Sequence, residues 1–226
     1  MKVRVVTAYV PIPGHPRSAA EYGALGEKFG ELPFPVKPFY HQIEKCWLHK
    51  FLWEQERPDK ITHSEGDNPA KNSLNYHIVQ HNKFEWLGAA TAIDNESDTF
   101  VWMDYGIMHQ PGVTVAVIEK FLRRVWIDPV DDVVTIPGCW PVNYENYGDD
   151  NPNWRFCGSL FIVPRHLIKP LALEFRDITT RRIFKTHNVT WEINDLARLE
   201  RKGKVPIRWY QADHNQSMFD NYPGGP

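Results

Sequence analysis

A chain of 226 residues, 42% of them hydrophobic, carries enough apolar material for one substantial core. Its formal net charge of -2 excludes a global basic field of the kind that captures nucleic acid or an anionic membrane surface, so nucleic acid is not indicated as a partner. Three cysteines, Cys46, Cys139 and Cys157, are odd in number and none stands in Cys-x-x-Cys spacing, which excludes a disulfide framework and fits a reducing, cytoplasmic setting.

The predicted elements alternate between strand and helix. Residues 3–10 are rich in β-branched side chains and read as a first strand, closed by the turn residues Pro11-Ile12-Pro13-Gly14. The stretch is too short for a signal sequence or a membrane span. After a loop with His15 and Arg17, residues 18–29 suit a helix with Ser18 as N-cap and Gly30 as its stop. A short strand over 36–40 follows, then helical spacing of Ile43, Cys46, Trp47, Lys50 and Phe51 through Trp53. Polar residues 57–72 read as a long surface loop.

One long helix is predicted over 73–93, with Tyr76, Val79, Leu87 and Ala90 on a stripe that also takes Lys83. The lysine stem then lies toward the core, and its ammonium must reach either water or an anion such as a phosphate. The run Thr99-Phe100-Val101-Trp102-Met103 is continuously apolar and stops on Asp104. Such a run suits a strand buried on both faces of a parallel sheet. Ligands bind at the carboxyl ends of these strands, which places Asp104 where an oxygen ligand for a metal-bound phosphate is needed. An aspartate there can equally be a turn former.

Val117, Ile118, Phe121, Leu122 and Val125 mark another amphipathic helix, and 132–137 is a short β-branched run. Residues 138–153, dense in Tyr, Asn and Asp, form a loop suited to a polar, hydroxylated acceptor. A strand over 155–163 is interrupted by Gly158, which allows a bulge or a close approach. A helix is predicted from 164 to about 175, and another opens at Thr190-Trp191-Glu192 with Thr190 as N-cap. The last strand, 207–211, delivers Asp213 and His214. No repeat or linker divides the chain, so residues 1–226 are expected to form one α/β domain with a flexible Pro/Gly tail from about residue 220.

Several familiar motifs are absent. His77 and His81 stand four apart on a predicted helix, but Ile78 fills the place of the glutamate that follows the first histidine in zinc proteases. There is no Gly-x-Ser-x-Gly elbow, no phosphate loop and no Gly-x-Gly-x-x-Gly after the first strand.

What remains is an ordered set: Val6-Thr7-Ala8-Tyr9 closing the first strand, Lys83, Trp102-Met103-Asp104-Tyr105-Gly106-Ile107, Gly158, Trp191-Glu192 and Asp213-His214. This order resembles the HtrL/YibB-type proteins, a group with the nucleotide-sugar glycosyltransferase fold called GT-A, over roughly residues 3–219. The resemblance implies a GT-A (Rossmann-like) fold, with a mostly parallel central sheet flanked by helices. It implies a nucleotide-sugar donor, UDP- or GDP-linked, and a glycan or other hydroxylated acceptor. Thr7, Ala8 and Tyr9 would lie nearest the nucleoside, and Lys83 and Gly106 would join them on the donor side.

Asp104 would take the place of the Asp-x-Asp motif and, with His214, hold a divalent cation, Mn²⁺ or Mg²⁺, that neutralises the diphosphate. The second acid of that motif is Gly106 here. Trp154, Gly158 and Trp191 would serve the acceptor side. Glu192 is the candidate catalytic base, with Asp195 as its substitute; an acid in the first helical turn also complements the helix dipole. The expected activity is glycosyl transfer. A non-catalytic nucleotide- or sugar-binding protein on the same fold is the alternative, as is a metal-dependent hydrolase using Asp104, Asp213 and His214.

Overall fold

A computed structural model describes residues 2–15, 17–55, 60–61, 69–129, 132–142 and 151–224. The acceptor loop expected around Tyr144–Asp150 lies outside the described residues, as does most of the 57–72 loop.

Six strands form the central sheet: β1 (Val3–Tyr9), β2 (Val36–Tyr40), β4 (Thr99–Met103), β5 (Val134–Gly138), β6 (Leu160–Pro164) and β8 (Ile207–Gln211). Their spatial order is β2-β1-β4-β6-β5-β8. β6 pairs antiparallel with β4 and β5, and every other pairing is parallel, so five strands share one direction. The apolar run 99–103 is the expected buried strand: all five residues are buried, with Val101 opposite Val5 on one side and Ile162 on the other. β3 (Lys60–Ile61) and β7 (Asn188–Val189) make a separate two-stranded ribbon.

Alternate residues of each strand face opposite sides of the sheet. Val6, Phe100 and Trp102 point into a core built with α2 (Trp47–Glu54), α3 (Leu74–His81), α4 (Lys83–Ile93), α6 (Arg165–Thr186) and α7 (Glu192–Lys202). Val5, Val101 and Met103 point into the other, with α5 (Val115–Ile127) and α8 (Ser217–Asp220). The predicted α/β sandwich is therefore present. Among the described residues no helix is long and apolar enough to cross a membrane.

Three element predictions are corrected. The helix expected over 73–93 is two helices, because Asn82 leaves helical register at ψ -3° and spends its side chain on the Trp47 amide, 2.9 Å away. That break makes Lys83 the first residue of α4. The helix expected to stop near 175 runs on to Thr186, because its polar extension carries buried Ile178, Thr179, Arg182 and Ile183. Trp191, not Thr190, is the N-cap of α7; the Thr190 hydroxyl instead accepts from the Asn194 amide at 2.9 Å. Of the tail, residues 221–224 are described: the Tyr222 hydroxyl donates to the Asp128 carbonyl at 3.2 Å, and Arg208 donates to the Gly224 carbonyl at 3.2 Å. The first helix, α1 (Ala19–Glu27), begins as expected, with a reciprocal Ser18–Glu21 capping box.

Candidate functional site

Parallel strands deliver their carboxyl ends to one edge of a sheet, and a cavity of about 860 Å³ lies there. β1 contributes Ala8 and Tyr9, and the residues after β4 contribute Asp104, Tyr105 and Gly106. Because β6 runs the opposite way, its entry rather than its end meets this edge. The Asp104 amide donates to the Ser159 carbonyl at 3.0 Å, and Gly158 is brought beside Asp104.

Lys83 is 2% exposed and joins the pieces. Its Nζ lies 2.9 Å from Glu192 Oε1 and 3.1 Å from Asp104 Oδ1, and donates to the Gly158 carbonyl at 2.8 Å. The ammonium thus reaches an anion, one of the two destinations open from sequence, in the form of two of the protein's own carboxylates. Burial works against its charge, but Asp104 and Glu192 outweigh burial and hold the lysine pKa above its ordinary value. Asp104 Oδ1 also accepts from the Trp102 indole at 2.8 Å.

Glu192 is buried at the start of α7, and its second oxygen, Oε2, has no hydrogen-bond partner among the described residues. A buried carboxylate oxygen left in this state is costly unless a ligand group completes it. Gly158 is required by this contact. It sits at φ +63°, and a Cβ there would stand 2.6 Å from Glu192 Oε1. Gly158 therefore belongs to the charged floor, and it lies in the turn before β6 rather than inside the strand.

The opposite wall is aromatic. The Tyr9 ring centroid lies 5.3 Å from those of Tyr22 and Tyr105. Tyr105 fits only because residue 26 is glycine: a Cβ there would overlap its hydroxyl. Arg17, Lys71, His15 and His109 add cationic or protonatable groups to the lining, and burial pushes the pKa of both histidines down. Tyr22, Tyr76, Tyr105 and Lys71 were not legible as site residues. His15 and Arg17 carried a signal, since they occupy the loop at the carboxyl end of the first strand.

Other predicted site residues fall elsewhere. Thr7 is fully buried within β1 and does not line the cavity. Asp195 does not line it either; it is completely buried, takes two hydrogen bonds from Arg182 at 2.7 and 2.9 Å, and accepts from Thr179 at 2.8 Å. Burial raises its pKa, but Arg182 and His81 carry it well below the usual carboxylate range. It is an anchor between α6 and α7, which excludes it as a substitute base. Trp154, Trp191 and His214 do line the cavity.

The predicted cation ligands are engaged separately. Asp104 is held by Lys83 and Trp102, whereas His214 Nδ1 lies 3.8 Å from Cys139 Sγ and 3.5 Å from Asp213 Oδ1. A Cβ on Gly106 would stand 3.0 Å from Tyr22 Cε1 and 3.3 Å from His109 Nδ1, so the packing resists a second acid there. A hard divalent ion takes several oxygen ligands. Among the described residues, Asp104 is not part of any converging group of three metal-capable side chains; a Mg²⁺-class ion shared between one carboxylate and a diphosphate asks for no such group.

The sequence matches no family model, and it matches no curated protein. Solved structures do resemble it. A glycosyltransferase involved in the glycosylation of the major capsid of PBCV-1 aligns with 94% of this chain and 82% of its own, at 9% identity and a TM-score of 0.54. Mouse xyloside xylosyltransferase 1, in its apo form, aligns with 93% of this chain and 85% of its own, at 9% identity and a TM-score of 0.47. At such identity the first likeness concerns the fold, which is the GT-A type expected from sequence.

Proposed function

We propose that this protein is a glycosyltransferase that moves a sugar from a nucleoside-diphosphate donor to a hydroxylated acceptor. The observation that carries the reading is the buried Glu192 carboxylate, with Lys83 on one oxygen and no described residue hydrogen-bonded to the other, at the floor of a cavity at the strand ends. The GT-A fold supports it, as does the resemblance of Val6-Thr7-Ala8-Tyr9 and Trp102-x-Asp104-x-Gly106-Ile107 to HtrL/YibB-type proteins.

In this reading the tyrosine wall takes the nucleobase, since flat rings stack on any base face. Arg17, Lys71 and the nearby histidines face the diphosphate and balance the charge that grows as it departs. Glu192 Oε2 accepts the proton of the attacking hydroxyl. Lys83 pairs with Glu192 and fixes its rotamer through Oε1, and Trp191 and Trp154 offer flat faces to the acceptor sugar. A divalent ion, where the donor brings one, would be held by Asp104 together with diphosphate oxygens and would add to the same charge balance.

The test is incubation with a panel of nucleoside-diphosphate sugars, with and without acceptor glycans, following nucleotide release. Release that needs an acceptor supports transfer; release without one indicates hydrolysis, and saturable binding without turnover indicates a binding protein. For Glu192→Gln the expected result is retained donor affinity with transfer lost. Unchanged turnover would return Glu192 to a structural role at the helix start.

A further inference from the structure

Three segments far apart in sequence meet at the rim of the cavity. Cys139 follows β5, Cys157 precedes β6, and His214 follows β8. Cys139 Sγ lies 4.0 Å from Cys157 Sγ and 3.8 Å from His214 Nδ1, and the three donor atoms all fall within 4.8 Å of one another. Among the described residues they are the one such convergence of metal-capable side chains. Asp213 Oδ1 stands 3.6 Å from Cys139 Sγ and 3.5 Å from His214 Nδ1.

These separations are those of ligands around a tetrahedral thiophilic ion. With metal–sulfur bonds near 2.3 Å and metal–nitrogen bonds near 2.0–2.1 Å, the edges of such a tetrahedron are roughly 3.6–3.8 Å. Closing the cluster onto an ion therefore needs side-chain shifts of roughly an ångström or less, within reach of a χ1 adjustment. Backbone bonds already hold the segments together: the Cys157 amide donates to the Pro137 carbonyl at 2.8 Å and the Ala212 amide to the Gly138 carbonyl at 2.9 Å. Residue 138 is glycine because a Cβ there would overlap the Arg155 carbonyl, so the two cysteine-bearing strands approach as closely as backbones can.

We propose that Cys139, Cys157 and His214 bind a zinc-class divalent ion, with the fourth position taken by Asp213 or by an oxygen ligand from the cavity. Two thiolates and a neutral imidazole suit a soft or borderline ion and disfavour Mg²⁺ or Mn²⁺. The ion would clip the ends of β5 and β8 to the turn carrying Gly158, and so steady the backbone carbonyl that Lys83 uses. Cys157 and His214 both line the cavity, which sets this ion at its rim and apart from the Asp104 position first expected to hold a metal.

The experiment is a spectroscopic titration of the full chain, stripped of metal by a chelator under reductant and then supplied with Co²⁺ alone. No donor or acceptor is present, so its outcome is independent of the transferase reading. We expect saturable thiolate-to-cobalt charge-transfer absorption with a tetrahedral visible band, both abolished by Zn²⁺. Cys139→Ser is expected to remove the charge-transfer intensity of its sulfur. His214→Asn should weaken Co²⁺ binding roughly tenfold or more, at least the loss that outer-sphere changes produce. Cys46→Ser should leave the spectrum unchanged, because Cys46 is buried against α2. If Cys157→Ser fails to fold, Cys139→Ser and His214→Asn decide the matter. The proposal is overturned by the absence of charge-transfer absorption, by its survival in Cys139→Ser, or by a Cys139–Cys157 disulfide that resists reduction while Co²⁺ stays unbound.

Discussion

Replacing Lys83 with methionine tests the floor of the site most directly. The substitution keeps the apolar stem and deletes an ammonium held at 2.9 Å from Glu192, 3.1 Å from Asp104 and 2.8 Å from the Gly158 carbonyl. Asp104 faces solvent on one side, with a side chain 31% exposed, whereas the Glu192 side chain is 4% exposed and would lose its one hydrogen-bond partner among the described residues. Removing one member of a buried ion pair costs about 3–5 kcal/mol, because the other charge is left desolvated. Against a typical stability of about 5–15 kcal/mol, that is a large fraction. Urea unfolding followed by fluorescence of the nine tryptophans reads it. Adding Glu192→Gln to Lys83→Met should restore more than half of the loss, since the double variant buries no lone charge. A loss below about 1 kcal/mol for Lys83→Met, or a double variant no more stable than the single, would refute the claim that this lysine is the counter-charge of a buried carboxylate.

Asp195→Asn should also cost about 3–5 kcal/mol by removing the buried carboxylate charge that takes two hydrogen bonds from Arg182, while the turnover of the folded fraction is retained. Because the folded pKa of Asp195 is depressed, its contribution is full above about pH 4–5 and fades only as pH falls further toward the folded value; comparing parent and variant in acid unfolding checks this. Gly158→Ala forces a positive φ on a residue with a Cβ and drives that atom against Glu192, so a destabilisation of about 1–3 kcal/mol and a fall in kcat exceeding any rise in donor KM are expected from denaturation and steady-state assays. Tyr22→Ala should weaken donor binding by about 1–3 kcal/mol, roughly 5- to 150-fold by calorimetry, if the tyrosine wall stacks on the base. An unchanged affinity would place the base elsewhere.

Much of the frame was legible because its signals are local. The β-branched run of the first strand, the Ser18 cap with Glu21 three residues on, and the apolar run ending on Asp104 are each decided by neighbours within a few residues. The break at Asn82 was not. Its cause is a bond to Trp47, 35 positions away, and without that break Lys83 reads as one more position on a helix stripe. The polar extension of α6 misled for a related reason: Thr179 and Arg182 look solvent-facing until Asp195 is brought against them.

The sequence by itself determined the alternation of strands and helices, the strand-end position of Asp104 and Glu192 at the opening of its helix, because these follow from periodicity and capping. Tertiary structure alone decided how those residues are used. Only the fold brings Lys83, Asp104, Gly158 and Glu192 around one buried ammonium, gives Asp195 to Arg182, and sets Cys139 beside Cys157 and His214. The reason is distance along the chain. Burial and pairing across tens to more than a hundred residues are settled by the order and direction of strands, above all by β6 running against its neighbours, and no local pattern encodes that.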